Sequence, residues 1–402
     1  MVLEPVDPNQ LFRDRRRQAR RRRRQRRLVL IGVTVAVALG AAVVVWARGD
    51  GGAAADAENA ALARPAPPAT SVAKNLLAPR PAPAKMRGVH VTMALASIPG
   101  KLQEYLRMPG LNTLQLDIKD ENGEVGFVPS AVPFAAEIGA ARRYYKPREV
   151  ARLARRHGVY LVGRIVCFED PVLSAARPAM AVQRPDGSRW LNHAGLGWAD
   201  PYNREVWRYL GDLAVTAVKL GFDEIQFDYV RFPTDGDVEA IRYPSQTSTA
   251  PGWVIAEFVH YVSSRVKPLG ARVSADVFGL AATRDLGIGQ LPRRIARYLD
   301  AIYPMVYPSH YGPGEYGLED PNATPGPTVA AALGDFNREL EGRKTEVIPW
   351  LQDFSYGRTY TAAEVREQID AAASTGAEGF LLWNAAGVYS DDVLTYEPVV
   401  AD

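Results

Sequence analysis

Within GFDEIQFDYVRFP, Gly221 to Pro233, the run Glu224–Tyr229 alternates in character: Ile225, Phe227 and Tyr229 share one phase, Gln226 and Asp228 the other. Successive strand side chains point to opposite faces, so this run reads as a strand with an apolar face and a polar face that ends in a carboxylate. The pattern recurs. Arg272–Phe278 sets Val273, Ala275 and Val277 against Ser274 and Asp276, and Thr113–Ile118 sets Leu114, Leu116 and Ile118 against Gln115 and Asp117. With the apolar phases turned outward, Asp117, Asp228 and Asp276 converge at one end of three strands.

Further strand runs at Gly88–Met93, Tyr160–Phe168, Ala301–Tyr307, Glu346–Leu351 and Gly379–Trp383 bring the count to eight. Between them lie helical patterns at Pro147–His157, Arg204–Leu220, Val254–Val266, Leu291–Leu299, Thr328–Leu340 and Ala362–Ala373. Pro147 suits a first helical turn, and Thr361 with Glu364 has capping-box spacing. Eight strands with intervening helices within residues 86–402 predict an α/β fold, a (β/α)8 TIM barrel, whose usual size is roughly 250 residues. A doubly wound open sheet is the alternative, weakened by the lack of a glycine-rich phosphate fingerprint after the first strand.

The chain has 402 residues, 47% apolar and 23% charged, which excludes disorder throughout, and its one cysteine excludes an internal disulfide. Its net charge of +3 is unevenly placed. Residues 1–27 hold eleven arginines against three acids, an excess of eight, so the rest carries −5. A mildly acidic body argues against nucleic acid as partner. Leu28–Trp46 is nineteen residues without a charge, enough to span most of a bilayer core. The arginines before it predict a cytoplasmic tail (1–27), a single transmembrane helix (28–46) and an exported remainder. A cleaved signal peptide, and so secretion, is the rival; a twin-arginine signal and a nucleic-acid-binding tail fit less well. Residues 47–85 are rich in Ala and Pro and predict a disordered linker ahead of the barrel at 86–402.

Barrel enzymes place their chemistry at strand C-termini. Glu169 follows the third strand and Asp353 the seventh, and Trp198, Tyr229, Tyr303, Tyr307, Tyr311, Trp350 and Trp383 are expected to crowd the same rim. Carboxylates among aromatic platforms suit a sugar, and glycosidic cleavage needs two carboxyl groups. Each aspartate has a structural alternative, since strand-end carboxylates also form ion pairs, and Asp228 has Arg231 three residues on. His310 reads equally as a substrate contact, an acid–base group or a loop histidine, and Trp383 as a platform or a barrel plug. Five histidines without ligand spacing predict no metal site, and no cofactor is expected. Serine or cysteine catalysis lacks its sequence setting, and Cys167 reads as a small core residue.

The run GFDEIQFDYVRFP, with SADVFGL (Ser274–Leu280), IGQ (Ile288–Gln290), PMVYPSHY (Pro304–Tyr311), the opening MRGVHVT and the late LLWNA, resembles a largely uncharacterised family of glycoside hydrolases with a TIM-barrel fold. The resemblance runs from Met86 to Tyr396. It implies that Asp228 is the strand-four catalytic aspartate, as nucleophile or electrostatic stabiliser, with Arg231 orienting it. It points to Asp276 as proton donor, although glutamate is usual there, with Glu169 and Asp353 as reserves and Asp117 as a sugar ligand. Tyr303, Tyr307, His310, Trp350 and Trp383 complete the expected substrate-binding set. The expected protein is a membrane-anchored hydrolase of an envelope or extracellular polysaccharide. The rivals are a non-catalytic carbohydrate-binding barrel and a scaffold for envelope assembly.

Overall fold

A parallel barrel forms because strands with one uniformly apolar face must bury it under helices, and a closed sheet leaves no unpaired edge. The computed structural model describes residues 77–399. The expected tail (1–27), transmembrane span (28–46) and linker as far as residue 76 lie outside the described residues. Among those described, no helix is long and apolar enough to cross a membrane.

The strands are β1 (Arg87–Val91), β2 (Thr113–Lys119), β3 (Tyr160–Val166), β4 (Glu224–Asp228), β5 (Arg272–Phe278), β6 (Ala301–Met305), β7 (Glu346–Val347), β8 (Trp350–Gln352) and β9 (Phe380–Trp383). Neighbours pair in parallel, and β9 returns to β1, which closes the sheet. β7 and β8 are two halves of the seventh stave, both paired to β6. Pro349, which has no N–H to give, separates them. Its carbonyl still accepts from the Leu381 amide at 3.0 Å, so the barrel has eight staves, as the sequence predicts.

The crossovers carry helices α1 (Met93–Ala96), α2 (Lys101–Leu106), α3 (Pro133–Glu137), α4 (Pro147–Arg156), α5 (Pro171–Ala176), α6 (Arg204–Leu220), α7 (Pro251–Val266), α8 (Pro292–Ile295), α9 (Pro325–Glu339) and α10 (Ala362–Ser374). Pro147 opens α4 at its first turn, and the capping box of Thr361 and Glu364 opens α10. The predicted helix Leu291–Leu299 shrinks to α8. Asp300 is drawn back to accept from the Val273 amide at 2.8 Å and from Lys267 at 2.9 Å, and the chain before it tightens into turns.

Outward strand residues such as Leu114, Ile165, Ile225 and Val273 are fully buried against the helices. The barrel interior is polar and layered. At the floor, Glu224 accepts from Ser274, Tyr303 and Tyr160 at 2.5, 3.0 and 3.1 Å. Met86 closes that layer, its sulfur 3.3 Å from the Tyr303 hydroxyl. Above it Gln115 bonds across to Gln226, and His90 Nδ1 meets Gln115 Oε1 at 2.6 Å. The docked chain begins by Leu77, earlier than the expected boundary at 86. Leu77 is buried, and Arg80 pairs with the buried Asp223 at 2.6 Å.

Candidate active site

Asp117, Asp228 and Asp276 sit inward near the C-terminal ends of β2, β4 and β5, in the phase expected from the alternation. The group that organises them is Arg164, inward on β3 and 3% exposed. Its Nε and Nη2 donate to Asp228 Oδ2 at 2.9 and 2.6 Å, and its Nη1 donates to Asp117 Oδ1 at 2.7 Å. Glu121 lies on the same nitrogen at 3.4 Å. A guanidinium fork is suited to this bridging because its planar donors meet two carboxylates at once.

Asp228 Oδ1 accepts from the backbone N–H of Tyr229 at 2.6 Å. Tyr229 has φ +49°, a left-handed conformation that costs a non-glycine residue about 1–3 kcal/mol. The strain aims the amide back at the carboxylate. Both oxygens of Asp228 are thus held, one by the turn and one by Arg164. Arg164, which the sequence did not single out, thus holds the carboxylate for which the resemblance named Arg231. Arg231 donates to the Phe232 carbonyl at 3.0 Å and the Thr234 hydroxyl at 3.2 Å, with Trp198, Tyr229 and Phe278 rings around its guanidinium.

Asp276 has a different environment. Its Oδ1 accepts from the indole N–H of Trp350 at 2.6 Å, and the residue is 2% exposed. Burial, and then the charge of Asp228, pushes its pKa well above the usual carboxylate range. The Trp350 bond and the Arg164 charge oppose that shift without cancelling it. Two carboxyl groups with contrasting surroundings therefore share the mouth.

The aromatic set divides. Tyr307 is buried, with its ring edge-on to His310 and Phe354, and its phenol pKa is raised by burial and then by the charges of Asp276 and Asp228. Trp383 stacks on His90, centroids 4.3 Å apart, stands perpendicular to Trp350, and lies 5.5 Å from the Arg164 guanidinium. Trp350 is itself buried and committed to Asp276. Tyr303 faces inward at the barrel floor, where its hydroxyl donates to Glu224 at 3.0 Å. His310 is lowered to a pKa of about 4 by burial, so it is neutral at ordinary pH, with Nδ1 3.1 Å from the Ser309 hydroxyl.

The reserve acids are engaged elsewhere. Asp353 accepts from the Ser390 amide at 2.8 Å and its hydroxyl at 2.7 Å, which clamps the chain after β9. Glu169 is buried and accepts from Asn192 at 3.1 Å. Arg164 and His90 escaped sequence reasoning, yet both carried a signal. Each is a cationic or polar residue in phase with inward neighbours inside an apolar run, Tyr160–Phe168 and Gly88–Met93.

The family model described as "Putative glycosyl hydrolase domain" matches residues 88–389. A hypothetical protein from Ruminiclostridium thermocellum is 36% identical, covering 47% of this chain and 97% of its own, with a TM-score of 0.43. The PgaB (BpsB) glycoside hydrolase domain from Bordetella bronchiseptica is 17% identical, covering 75% of this chain and 94% of its own, with a TM-score of 0.55. Alpha-L-fucosidase isoenzyme 2 from Paenibacillus thiaminolyticus is 14% identical over 77% of this chain, which spans about half of the fucosidase (48%), with a TM-score of 0.51. The latter two share the fold. No curated protein matches. Because the family match takes in well over half of the sequence, the chain belongs to this glycosyl hydrolase domain family.

Proposed function

We propose that this barrel hydrolyses glycosidic bonds in an envelope or extracellular polysaccharide, with Asp276 as general acid and Asp228 as the second carboxylate. The observation that carries the reading is the contrast between the two aspartates. One is clamped by Arg164 and a backbone amide; the other is buried, with its pKa raised above the normal carboxylate range. Carboxyl groups in environments as different as these divide acid and base roles.

The Trp350 indole N–H can only donate, so Asp276 Oδ1 accepts and the acidic proton resides on Oδ2. That proton passes to the glycosidic oxygen as the bond to the anomeric carbon breaks. Asp228 faces the positive charge that develops on the sugar and either bonds to the anomeric carbon or stabilises it while water attacks. Asp117, Tyr307 and the half-buried Trp383 are assigned to sugar contacts. The anchor at 28–46 belongs to the same proposal and rests on its length, its lack of charge and the arginines before it.

The test is reducing-end release by the full chain on a panel of surface polysaccharides, beside Asp228→Asn and Asp276→Asn. Turnover by the parent, with kcat reduced by about 10²-fold or more in each variant, is the expected result. Glycan binding without product, equal in all three proteins, would establish the carbohydrate-binding barrel instead.

A further inference from the structure

A second feature lies on the outer wall. Arg142–His157 carries seven Lys and Arg side chains against Glu149 alone, an excess of six in a body that otherwise runs acidic. Arg142 pairs with Glu124, Lys146 with Glu149, and Arg155 with Asp223. Arg143, Arg148, Arg152 and Arg156 are exposed and make no ion pair among the described residues. Arg148, Arg152 and Arg156 stand at i, i+4 and i+8 on α4, a row about 12 Å long. Such a row costs the helix a few tenths of a kcal/mol per like-charged pair, and Arg148 in the first turn also opposes the helix dipole. Arg156, in the last turn, gains from the same dipole, so the cost falls mainly on Arg148.

The row borders a cavity of about 540 Å3 between α4 and the segment Ala96–Gln103. Its lining joins Arg152, Arg156 and the paired Lys146 and Glu149 to the apolar Ile98, Pro99 and Leu153. Ile98 is 46% exposed, which is costly for an isoleucine unless something covers it. Tyr145 also lines the cavity, and its hydroxyl donates to the Asp117 carbonyl at 2.8 Å. Tyr145 therefore ties the cavity wall to the outer backbone of β2, the strand whose inward face carries the Asp117 carboxylate.

We infer that this cavity binds an anionic glycan whose sugar units bear carboxylate or phosphodiester groups. Guanidinium forks match carboxylate and phosphate oxygens, while apolar patches suit the C–H faces of pyranose rings. A concave site of this size suits a flexible chain segment better than a flat lipid surface. The choice of a sugar rests on the glycosidase reading; the binding test does not.

The test is arginine footprinting of the detergent-solubilised full chain with phenylglyoxal, mapped by peptide mass spectrometry at about 0.15 M salt, where distant charges are screened. The probes are polygalacturonate, poly(glycerol phosphate) and neutral dextran. Modification of Arg152 and Arg156 is expected to slow by about threefold or more with one of the two anionic polymers and not with dextran. Arg338, exposed on α9, serves as control. The effective polymer identifies the anionic group. Arg152→Ala with Arg156→Ala should abolish the protection of Arg148. No protection by either polymer, or equal protection of Arg338, would overturn the site; protection by anionic phospholipid micelles alone would make it a membrane contact. Binding without hydrolysis would leave this inference standing and count against the catalytic reading only.

Discussion

At the scale of single residues, the mouth is an exercise in holding negative charge apart. Asp117 and Asp228 are joined by one guanidinium, so Arg164→Met takes the shared counter-charge from two buried carboxylates. Breaking a buried pair costs about 3–5 kcal/mol, and thermal denaturation of the variant should show a loss of that order. Arg164→Lys keeps the charge but not the fork. It is expected to retain the fold while kcat falls by about 10²-fold, because an ammonium cannot bond Asp117 and Asp228 in one plane. Trp350→Phe tests the acid. The indole bond is among the influences that lower the Asp276 pKa, so its removal lets the carboxyl keep its proton to higher pH. The alkaline limb of the kcat profile, which reports loss of that proton, should move upward, and kcat should drop as the carboxyl loses its alignment. A limb that stays in place would remove Asp276 from the acid's role. The same group contributes a pH dependence to stability. Its folded pKa lies above that of an ordinary aspartate, so the native state holds the proton more tightly than the unfolded chain. That contribution is full below the unfolded value and is lost as pH rises through the folded one.

At the scale of elements, β3 shows how much strand periodicity decides. Its outward phase, Leu161, Gly163 and Ile165, must admit the neighbouring apolar layer. A Cβ at Gly163 would lie 2.3 Å from Ile118 Cδ1 and 2.7 Å from Phe222 Cδ1. Gly163→Ala should therefore overpack the wall and cost about 1–3 kcal/mol, read as a lowered Tm. The eight staves and the inward set of Asp117, Asp228 and Asp276 were legible because alternation alone fixes which face a side chain takes. Height was not legible. Tyr303 shares its phase with rim residues, but the stagger of tilted strands puts its hydroxyl on the floor beside Glu224. Arg164 was hidden for the opposite reason: its strand is buried on both faces, so the whole of Tyr160–Phe168 reads as one apolar run and a single polar residue looks incidental. Pro349 was visible in the sequence, yet its effect, a stave in two halves that still keeps its register, depends on the carbonyl bond to Leu381.

At the scale of the whole molecule, the segment ahead of β1 belongs to the barrel's fastening. Composition places residues up to 85 in the linker, because nothing between 78 and 85 is large and aliphatic. The structure shows that a charged residue does the docking. Asp223, fully buried just before β4, accepts from the Arg80 amide at 2.9 Å, from Arg80 Nη2 at 2.6 Å and from the Leu161 amide at 3.0 Å. The guanidinium also reaches the Val159 carbonyl, and Arg155 donates to the Ala78 carbonyl, both at 2.5 Å. Leu77 packs beside Gly221 at the end of α6. A protease acting on the full chain should accordingly leave a stable fragment that begins near Leu77, not near Met86. Arg80→Ala takes the main counter-charge from Asp223, with Arg155 remaining at 3.5 Å as a partial substitute. Arg80 is 27% exposed, so solvent screening reduces the penalty of a fully buried pair to about 1–3 kcal/mol. The variant should unfold at lower denaturant concentration, and its protected fragment should shorten toward Met86, where the Met86 sulfur against Tyr303 holds the chain independently. An unchanged cleavage boundary in Arg80→Ala would show that Leu77 and the backbone bonds, not the ion pair, fasten the strap.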